Sequence, residues 1–191
     1  MDELSVGLSS WIIQDGNYGD FEEGGQYTFA LEFALSSIES IASEGRSLRH
    51  IAGSDYRFTA KVVFAQPGVV VIDAGILCYR EDKPTEGLVT GSFIAGELSL
   101  GIDPFFWLET HSKTPGAPNL FYRWRLRAIL LETTPWVETG SGFQRAQVPR
   151  AFKAVPRTDA WAHDGGRAEY VLVCELLGLV NKTKAGPQQA D

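Results

Sequence analysis

Three arginines alternate with aromatic and apolar residues in the stretch FYRWRLRAILLE, residues 121 to 132. A period of two is typical of a β-strand, so Arg123, Arg125 and Arg127 would share one face of that strand. Alternate residues on a strand stand about 6.8 Å apart, and at this spacing guanidinium groups can bind successive phosphates or carboxylates. The sequence therefore predicts a cationic row that can bind an anionic ligand or partner.

Basic residues continue beyond this row. Residues 119 to 158 contain seven Lys or Arg and two acids, in a chain whose formal net charge is -7. A positive region on an acidic protein favours contact with an anionic group. The residues of this segment that we predict to take part in binding, besides the row, are Arg145, Arg150, Lys153 and Trp136.

A second interpretation gives the row a structural role. Carboxylates on neighbouring strands, such as Glu32, Glu97 or Glu175, would then pair with the arginines inside the fold. The strand parity places Tyr122 and Trp124 on the face opposite the row. Proteins that bind single-stranded nucleic acid combine aromatic and cationic side chains in one groove, so this parity argues against that function.

Two groups of residues have the chemistry of metal ligands. The segment DGNYGDFEEGG, residues 15 to 25, gathers oxygen ligands of the kind calcium takes, but it lacks the Gly and Glu positions of an EF-hand. Glu109 and His111 would share a strand face after Asp103, without an H-x-H or H-E-x-x-H spacing. We therefore predict an acidic surface turn and ordinary histidines, with no metal and no cofactor.

Catalytic motifs are scarce. No G-x-S-x-G, P-loop or Rossmann pattern stands in the context that its chemistry requires. Asp73 shares a predicted strand row with Val69 and Val71, so it either faces the core with a raised pKa or caps a turn at the strand end. An enzyme would draw on Asp73, Glu109 and His111, but the sequence favours a binding module.

Period-two alternation predominates and predicts a mainly β fold. A short helix within residues 36 to 51 is the best helical candidate, since Ile38, Ile41 and Leu48 suit one helix face. Many short strands joined by Gly and Pro turns favour an antiparallel β-barrel, with a β-sandwich as the alternative and at most one or two short helices. The predicted strands lie near residues 4 to 13, 26 to 35, 56 to 64, 68 to 80, 92 to 102, 105 to 111, 121 to 132 and 169 to 180.

In one part of the chain, the predicted strands follow one another in the same order as in a known small barrel. The segments YRFTAKVVF and GVVVIDAGILCYR form a predicted hairpin, and a connection then leads to the alternating strand GSFIAGELSLGID. Over about residues 56 to 132 this order resembles the OB-fold. The resemblance implies a small closed barrel and oligonucleotide binding. Oligonucleotide binding is therefore an alternative to recognition of a partner protein or a small anionic ligand.

Aromatic residues make up 12% of the chain, so they either fill the core or line a pocket. A pocket would draw on Phe105, Phe106, Trp107 and Trp136. The segment between residues 133 and 167 is longer than most connections, so it is a functional loop or contains short elements. Four aromatic residues suggest that this segment packs against the fold: Trp136, Phe143, Phe152 and Trp161.

Length and composition predict one domain over residues 1 to 180, followed by a flexible tail at 181 to 191. No apolar stretch approaches the roughly 18 residues that span a bilayer, and no basic leader is apparent. Cys78 and Cys174 lie in predicted strands, so we expect reduced core thiols. These features predict a cytoplasmic protein that does not bind membranes, with homo-oligomers possible.

Overall fold

A computed structural model shows the fold, which is described for residues 3–42, 44–82, 88–140 and 142–180. The fold is mostly β, with 57% strand, 9% helix and a closed barrel of five strands. The predicted fold class is therefore confirmed. The predicted flexible tail at 181–191 lies outside the described residues, and a membrane-spanning helix is absent from the part of the chain that is described.

The described chain contains the following strands and helices. The first seven strands are β1 (Glu3–Ser9), β2 (Gln26–Phe29), β3 (Leu31–Ile41), β4 (Ser47–Ala52), β5 (Asp55–Gln66), β6 (Gly68–Asp73) and β7 (Leu77–Asp82). The remaining six are β8 (Phe93–Ile102), β9 (Tyr122–Glu132), β10 (Trp136–Thr139), β11 (Gly142–Arg145), β12 (Phe152–Val155) and β13 (Glu169–Leu179). There are two short helices, α1 (Ser10–Gln14) and α2 (Phe106–Glu109), and two 3-10 turns, at His111–Lys113 and His163–Gly166.

The closed barrel is a ring of β3, β8, β5, β6 and β7. Strands β5, β6 and β7 follow one another as hairpins, and β8 returns to pair with β5, which is a Greek key arrangement. Strand β3 pairs antiparallel with β8 and meets β7 through one parallel bridge, between Glu32 and Tyr79. Four junctions of the ring are therefore antiparallel ladders, and the fifth is a single bridge.

A second group of strands extends the sheet beyond the barrel. β1 joins β8 through one parallel bridge, between Gly7 and Gly101, and pairs antiparallel with β13. β9 lies next to β13, and its other edge carries β2 at one end and β12 at the other. We call β1, β13, β9, β2 and β12 the side sheet. β10 and β11 form a separate two-stranded hairpin.

One continuous core fills the barrel and lies under the side sheet. Cys78 and Cys174 are buried free thiols in this core, and burial raises the pKa of both. Strand β5 shows how alternation builds the core, because every second side chain points inward. The inward residues of β5 are Tyr56, Phe58, Ala60 and Val62, and all four are buried.

A second apolar cluster covers the outer face of β6 and β7. Val69 and Val71 of β6 and Tyr79 of β7 pack there with Trp107 of α2 and with Phe121. The alternate residues of β6 face the main core, so this strand is buried on both faces. Other segments of the same chain therefore cover the outside of the barrel at β6 and β7.

The strand predicted over residues 26 to 35 is two strands. β2 ends at Phe29 and pairs with β9, whereas β3 begins at Leu31 and belongs to the barrel. The Ala30 carbonyl between them accepts a hydrogen bond from Asp103 N at 3.0 Å. Alternation alone cannot reveal this break, because Phe29 and Leu31 are both buried.

Two predicted elements have the wrong type, and one ends early. The described part of residues 36 to 51 contains no helix, because β3 continues along β8 and cross-strand pairing outweighs the weak helical pattern. Residues 105 to 111 form α2 and a 3-10 turn; Asp103 Oδ1 accepts a hydrogen bond from Trp107 N at 3.1 Å and so supports the first helical turn. The strand predicted over residues 4 to 13 gives way to α1 after β1.

Candidate functional site

The arginine row lies on the outward face of β9. Glu175 on β13 is the register partner of Arg125, and its Oε2 lies 3.4 Å from Arg125 Nη1 and 2.6 Å from Arg127 Nη2. Two arginines therefore share one carboxylate. Among the partners considered from the sequence, Glu175 is the one that pairs with the row, whereas Glu97 pairs with Arg57 at 3.0 Å.

Arg123 is the exposed end of the row. It lies opposite Thr28 of β2 and Gly178 of β13, and it forms no ion pair with any described residue. The row therefore carries three positive charges against one carboxylate. This leaves a net positive strip on the outside of the side sheet.

Tyr122 and Trp124 face the core, as the strand parity predicts. Trp124 is fully buried, and its Nε1 donates a hydrogen bond to the Phe29 carbonyl at 3.2 Å. The Tyr122 hydroxyl accepts a hydrogen bond from Leu77 N at 3.0 Å, and burial raises the pKa of Tyr122 to about 12. Neither ring can stack on a ligand that the arginines hold.

Trp136 and Arg145 attach the β10–β11 hairpin to the fold. They pair across the hairpin, with the guanidinium carbon 4.0 Å from the centre of the Trp136 ring. Asp164 binds both side chains: Trp136 Nε1 donates to its Oδ2 at 2.5 Å, and Arg145 Nη2 lies 2.7 Å from the same oxygen. Arg145 Nη1 also donates to the Thr134 carbonyl at 2.6 Å. Both predicted binding residues are therefore engaged within the fold.

Arg150 also has a partner within the fold. Its Nη2 and Nε donate to Glu132 Oε2 at 2.6 and 3.2 Å, and its guanidinium carbon lies 5.3 Å from the Phe152 ring centre. Glu132 is 3% exposed. Burial raises the pKa of Glu132, but hydrogen bonds from Arg150 and Thr134 lower it, and the net shift is downward. The pair fastens the edge of the side sheet.

Lys153 lies on the other face of the side sheet from the arginine row. The β9–β13 ladder shifts register between Leu126 and Ala128, so odd-numbered residues of β9 beyond the shift face inward, and Ile129 is buried in the core. Lys153 pairs with Leu131, on the same face as Ile129. Lys153 itself is exposed and forms no ion pair within the described chain. The predicted basic residues therefore do not converge on one surface.

Large aromatic side chains are exposed near the hairpin. Trp161 is 70% exposed, Phe143 57% and Trp11 49%. Phe143 belongs to β11, Trp11 to α1, and Trp161 to the connection that leads to the second 3-10 turn. A contiguous exposed apolar patch on a soluble protein marks an interaction site more often than single exposed residues do. We call these three residues the aromatic surface.

Hydrogen bonds hold together the elements that carry the aromatic surface. Gln14 of α1 donates from Nε2 to the carbonyls of Ala160 and Gly166 at 2.7 and 2.9 Å. Asp164 in the same connection binds the hairpin through Trp136 and Arg145. The aromatic surface therefore rests on a fixed framework.

The long segment between residues 133 and 167 packs down only in part. Trp136 and Phe152 are half-buried, as the sequence suggests, but Phe143 and Trp161 are exposed. The segment contains β10, β11, β12 and a 3-10 turn, so it holds the short elements that its length allows. No sequence signal distinguishes the two exposed aromatic residues from the two half-buried ones.

A group of acids lies where β3 meets β7. The Tyr79 hydroxyl donates to Asp103 Oδ1 at 2.5 Å, and Asp103 is 1% exposed. Burial, with the charges of Asp103 and Glu81, raises the pKa of the half-buried Glu32 to about 7. Glu81 Oε1 lies 2.7 Å from His111 Nε2. We call Glu32, Tyr79, Glu81, Asp103 and His111 the seam cluster. The sequence does not indicate this cluster, because its members come together only when the ring closes.

The residues considered for an enzyme serve separate local structures. Asp73 Oδ1 accepts a hydrogen bond from Gly75 N at 3.0 Å, and Oδ2 pairs with Arg46 at 2.9 Å, which is the turn-capping role. Glu109 is exposed at the end of α2, and His111 belongs to the seam cluster. Among the described residues, no group of three or more His, Cys, Asp or Glu side chains is arranged to hold a metal ion.

The acidic turn at residues 15 to 25 fastens a neighbouring segment. Asp20 Oδ1 accepts hydrogen bonds from Thr158 Oγ1 at 2.8 Å and from Ala160 N at 3.2 Å. Arg157 lies 3.4 Å from the other oxygen of Asp20. These contacts give the carboxylate a structural role.

The four aromatic residues expected at a pocket are dispersed. Phe105 lines a small cavity with Tyr18, whereas Trp107 is fully buried in the second apolar cluster. Phe106 is 43% exposed, and Trp136 lies in the hairpin cluster with Arg145.

The fold and these surfaces define a mainly β protein with a closed five-stranded barrel and a side sheet. We compared the chain with protein-family models, with curated proteins and with solved structures, and found no match in any of the three. Its function is therefore argued from its own geometry.

Proposed function

We propose that this protein is a binding module that recognises a partner protein through the aromatic surface. The observation that carries the proposal is the exposure of Trp161, Phe143 and Trp11, at 70%, 57% and 49%, on elements that hydrogen bonds hold together. Trp and other aromatic residues supply much of the energy at protein interfaces. A fixed framework also reduces the entropy lost on binding.

A cation beside the aromatic surface can pair with an acidic side chain of the partner. Arg167 lies over the Phe143 ring at 5.0 Å and forms no ion pair with the described residues. Asp159 and Asp164 nearby are already engaged, the first with Ala162 N at 2.9 Å and the second with Arg145. An apolar segment that carries an acidic side chain would meet both the aromatic rings and Arg167.

Affinity purification with single variants tests this proposal. Trp161→Ala and Phe143→Ala should each reduce recovery of a bound protein about tenfold or more, because a hot-spot aromatic residue typically contributes about 2 kcal/mol or more. Leu179→Ala is the matched control, since Leu179 is 62% exposed at the other end of β13. Equal recovery by the wild type and both aromatic variants would count against the proposal.

A small anionic ligand at the arginine row is a second candidate function. The supporting observation is that Arg125 and Arg127 share one carboxylate, Glu175, and that Arg123 is exposed without an ion pair to the described residues. Titration with inorganic pyrophosphate, followed by NMR, should shift the amides around Arg123 in the wild type. Arg123→Ala should weaken binding at least fivefold. Arg57→Ala, which removes an exposed arginine elsewhere, should leave the affinity unchanged, and equal affinity in all three proteins would refute this site.

Oligonucleotide binding is less well supported. Taking β5, β6 and β7 as the first three strands of an OB-like barrel, ligands would bind on the face of the second and third strands. The outer face of β6 and β7 is covered by Trp107 and Phe121. If an oligonucleotide titration shows binding whose affinity falls steeply with salt concentration, that result would support oligonucleotide binding.

A further inference from the structure

The barrel closes through a narrow junction between β3 and β7. Within the described residues, the Glu32 to Tyr79 bridge is the one position at which these strands pair, whereas each other junction of the ring is a ladder of several pairs. A single bridge offers little backbone hydrogen bonding to resist local opening. The side chains around it therefore have a large share in holding the ring closed.

Those side chains are mainly acidic. Asp103, which follows β8, accepts hydrogen bonds from the Tyr79 hydroxyl and from Trp107 N, and is buried. Glu81 on β7 and His111 on the 3-10 turn are 2.7 Å apart. Glu32 lies opposite Tyr79 in the bridge, and the charges of Asp103, which follows β8, and of Glu81 on β7 both act on its carboxyl group.

The environment of Glu32 favours its neutral form. Burial and the charges of Asp103 and Glu81 all raise its pKa, from 4.5 to about 7. Burial also raises the pKa of Asp103, although hydrogen bonds from Tyr79 and from backbone amides oppose the shift. His111 can carry a positive charge, but it lies against Glu81.

We propose that the junction between β3 and β7 is a pH-dependent closure, closed while Glu32 carries its proton and loosened when that proton leaves to the solvent. An ionised Glu32 would face two carboxylates in a half-buried site, and opening of the bridge would let water reach it. Opening would also expose Tyr79, which packs against Trp107 of the second apolar cluster. This closure acts independently of the aromatic surface.

The sign of the effect follows from proton linkage. The folded form holds the Glu32 proton up to about pH 7, whereas a water-exposed Glu releases it near 4.5. The closed junction therefore binds more protons than the open one between these values. Its stability falls as pH rises from about 4.5 to 7, and the loss is complete above that range.

Hydrogen exchange of the full-length protein tests the closure. The protection factor of the Tyr79 amide, corrected for the intrinsic effect of pH, should fall about tenfold between pH 5 and pH 8. The amides of Leu126 and Leu172 in the side sheet serve as the internal reference and should change less. A wild-type junction with the same protection at both pH values overturns the proposal, whatever the variants do.

Variants identify the group that titrates. Glu32→Gln should keep the junction protected at pH 8, because the amide cannot ionise. Glu39→Gln removes an exposed acid from the same strand and should behave like the wild type. His111→Asn should retain the wild-type fall. If the pH dependence persists in Glu32→Gln, or disappears in His111→Asn instead, Glu32 is not the switch and the proposal fails.

Discussion

At the scale of residues, most of the cationic side chains predicted to bind a ligand are engaged inside the fold. Strand alternation in the sequence already indicates Glu175 as a possible partner of the arginine row, because side chains on one face of neighbouring strands lie close together. The partners of Arg145 and Arg150, which are Asp164 and Glu132, could not be foreseen. Their positions depend on how the chain returns after β9. The internal pairs are Arg125 and Arg127 with Glu175, Arg145 with Asp164, and Arg150 with Glu132.

The Arg150 to Glu132 pair should contribute measurably to stability. Arg150→Ala would leave the Glu132 carboxylate, 3% exposed, without its main hydrogen-bond donor. We expect the free energy of unfolding to fall by about 1–3 kcal/mol, less than for a fully buried pair because Arg150 is 43% exposed. Urea denaturation at pH 7 measures the change.

Arg123→Ala is the control for this effect. Arg123 has no ion pair among the described residues, so its removal should change stability by less than about 0.5 kcal/mol. Adding Glu132→Gln to Arg150→Ala should recover part of the loss, because the amide is cheaper to bury than a carboxylate. Equal stability of Arg150→Ala and Arg123→Ala would show that the pair contributes nothing.

At the scale of elements, alternation predicted the central strands well. β5, β8, β9 and β13 lie where the pattern indicates, because each has one row of side chains in the core. The strand predicted over residues 68 to 80 is instead two strands, β6 and β7, with a turn between them that Asp73 caps. The failures have physical causes. Alternation continues through the break between β2 and β3, and the turn at α2 depends on Asp103, which no local pattern identifies as a cap.

Gly96 illustrates a local signal that the sequence revealed. Its place in the buried row of β8 suggests a bend or bulge, and the β3–β8 ladder shifts register next to it, between Leu35 and Ser37. Its φ is +155°, and a Cβ atom there would lie within 2.8 Å of the Ser37 carbonyl carbon. Only glycine fits this close approach of two backbones.

Gly96→Ala should therefore be strongly destabilising. The added methyl group would push the Ser37 backbone away and break the pairing of β3 with β8, so we expect a loss of roughly 2–5 kcal/mol. Gly19→Ala is the matched control, since a Cβ there meets nothing within 4 Å and its φ is not in the left-handed region. Thermal unfolding compares the two, and a similar midpoint for both variants would contradict this explanation.

At the scale of the whole molecule, the barrel was predictable but its surroundings were not. Many short strands without a helical pattern favour closure, since closure hides unpaired edges. Among the described residues, strand pairing between the side sheet and the barrel is a single bridge from Gly7 to Gly101, and β3 pairs with β7 through another at Glu32. Such single contacts between distant segments leave no periodic trace in the sequence.

The same limit applies to the candidate site. The sequence identified the cationic stretch and included Trp136, but exposure decides which side chains can reach a partner. Trp161 and Phe143 stand out only when α1, the hairpin and the connection between them are assembled. Recognition by this protein is thus proposed to depend on aromatic residues near the basic segment more than on its arginines.

Site-specific photocrosslinking tests that claim most directly. Replacement of Trp161 by p-benzoylphenylalanine places a photoreactive ring on the aromatic surface, and replacement of Leu179 places it at the other end of β13. Irradiation in extracts of the producing cells should yield a discrete covalent adduct with an acidic partner protein from position 161 and none from position 179. No adduct at position 161, or the same adduct from both positions, would contradict a binding role for the aromatic surface.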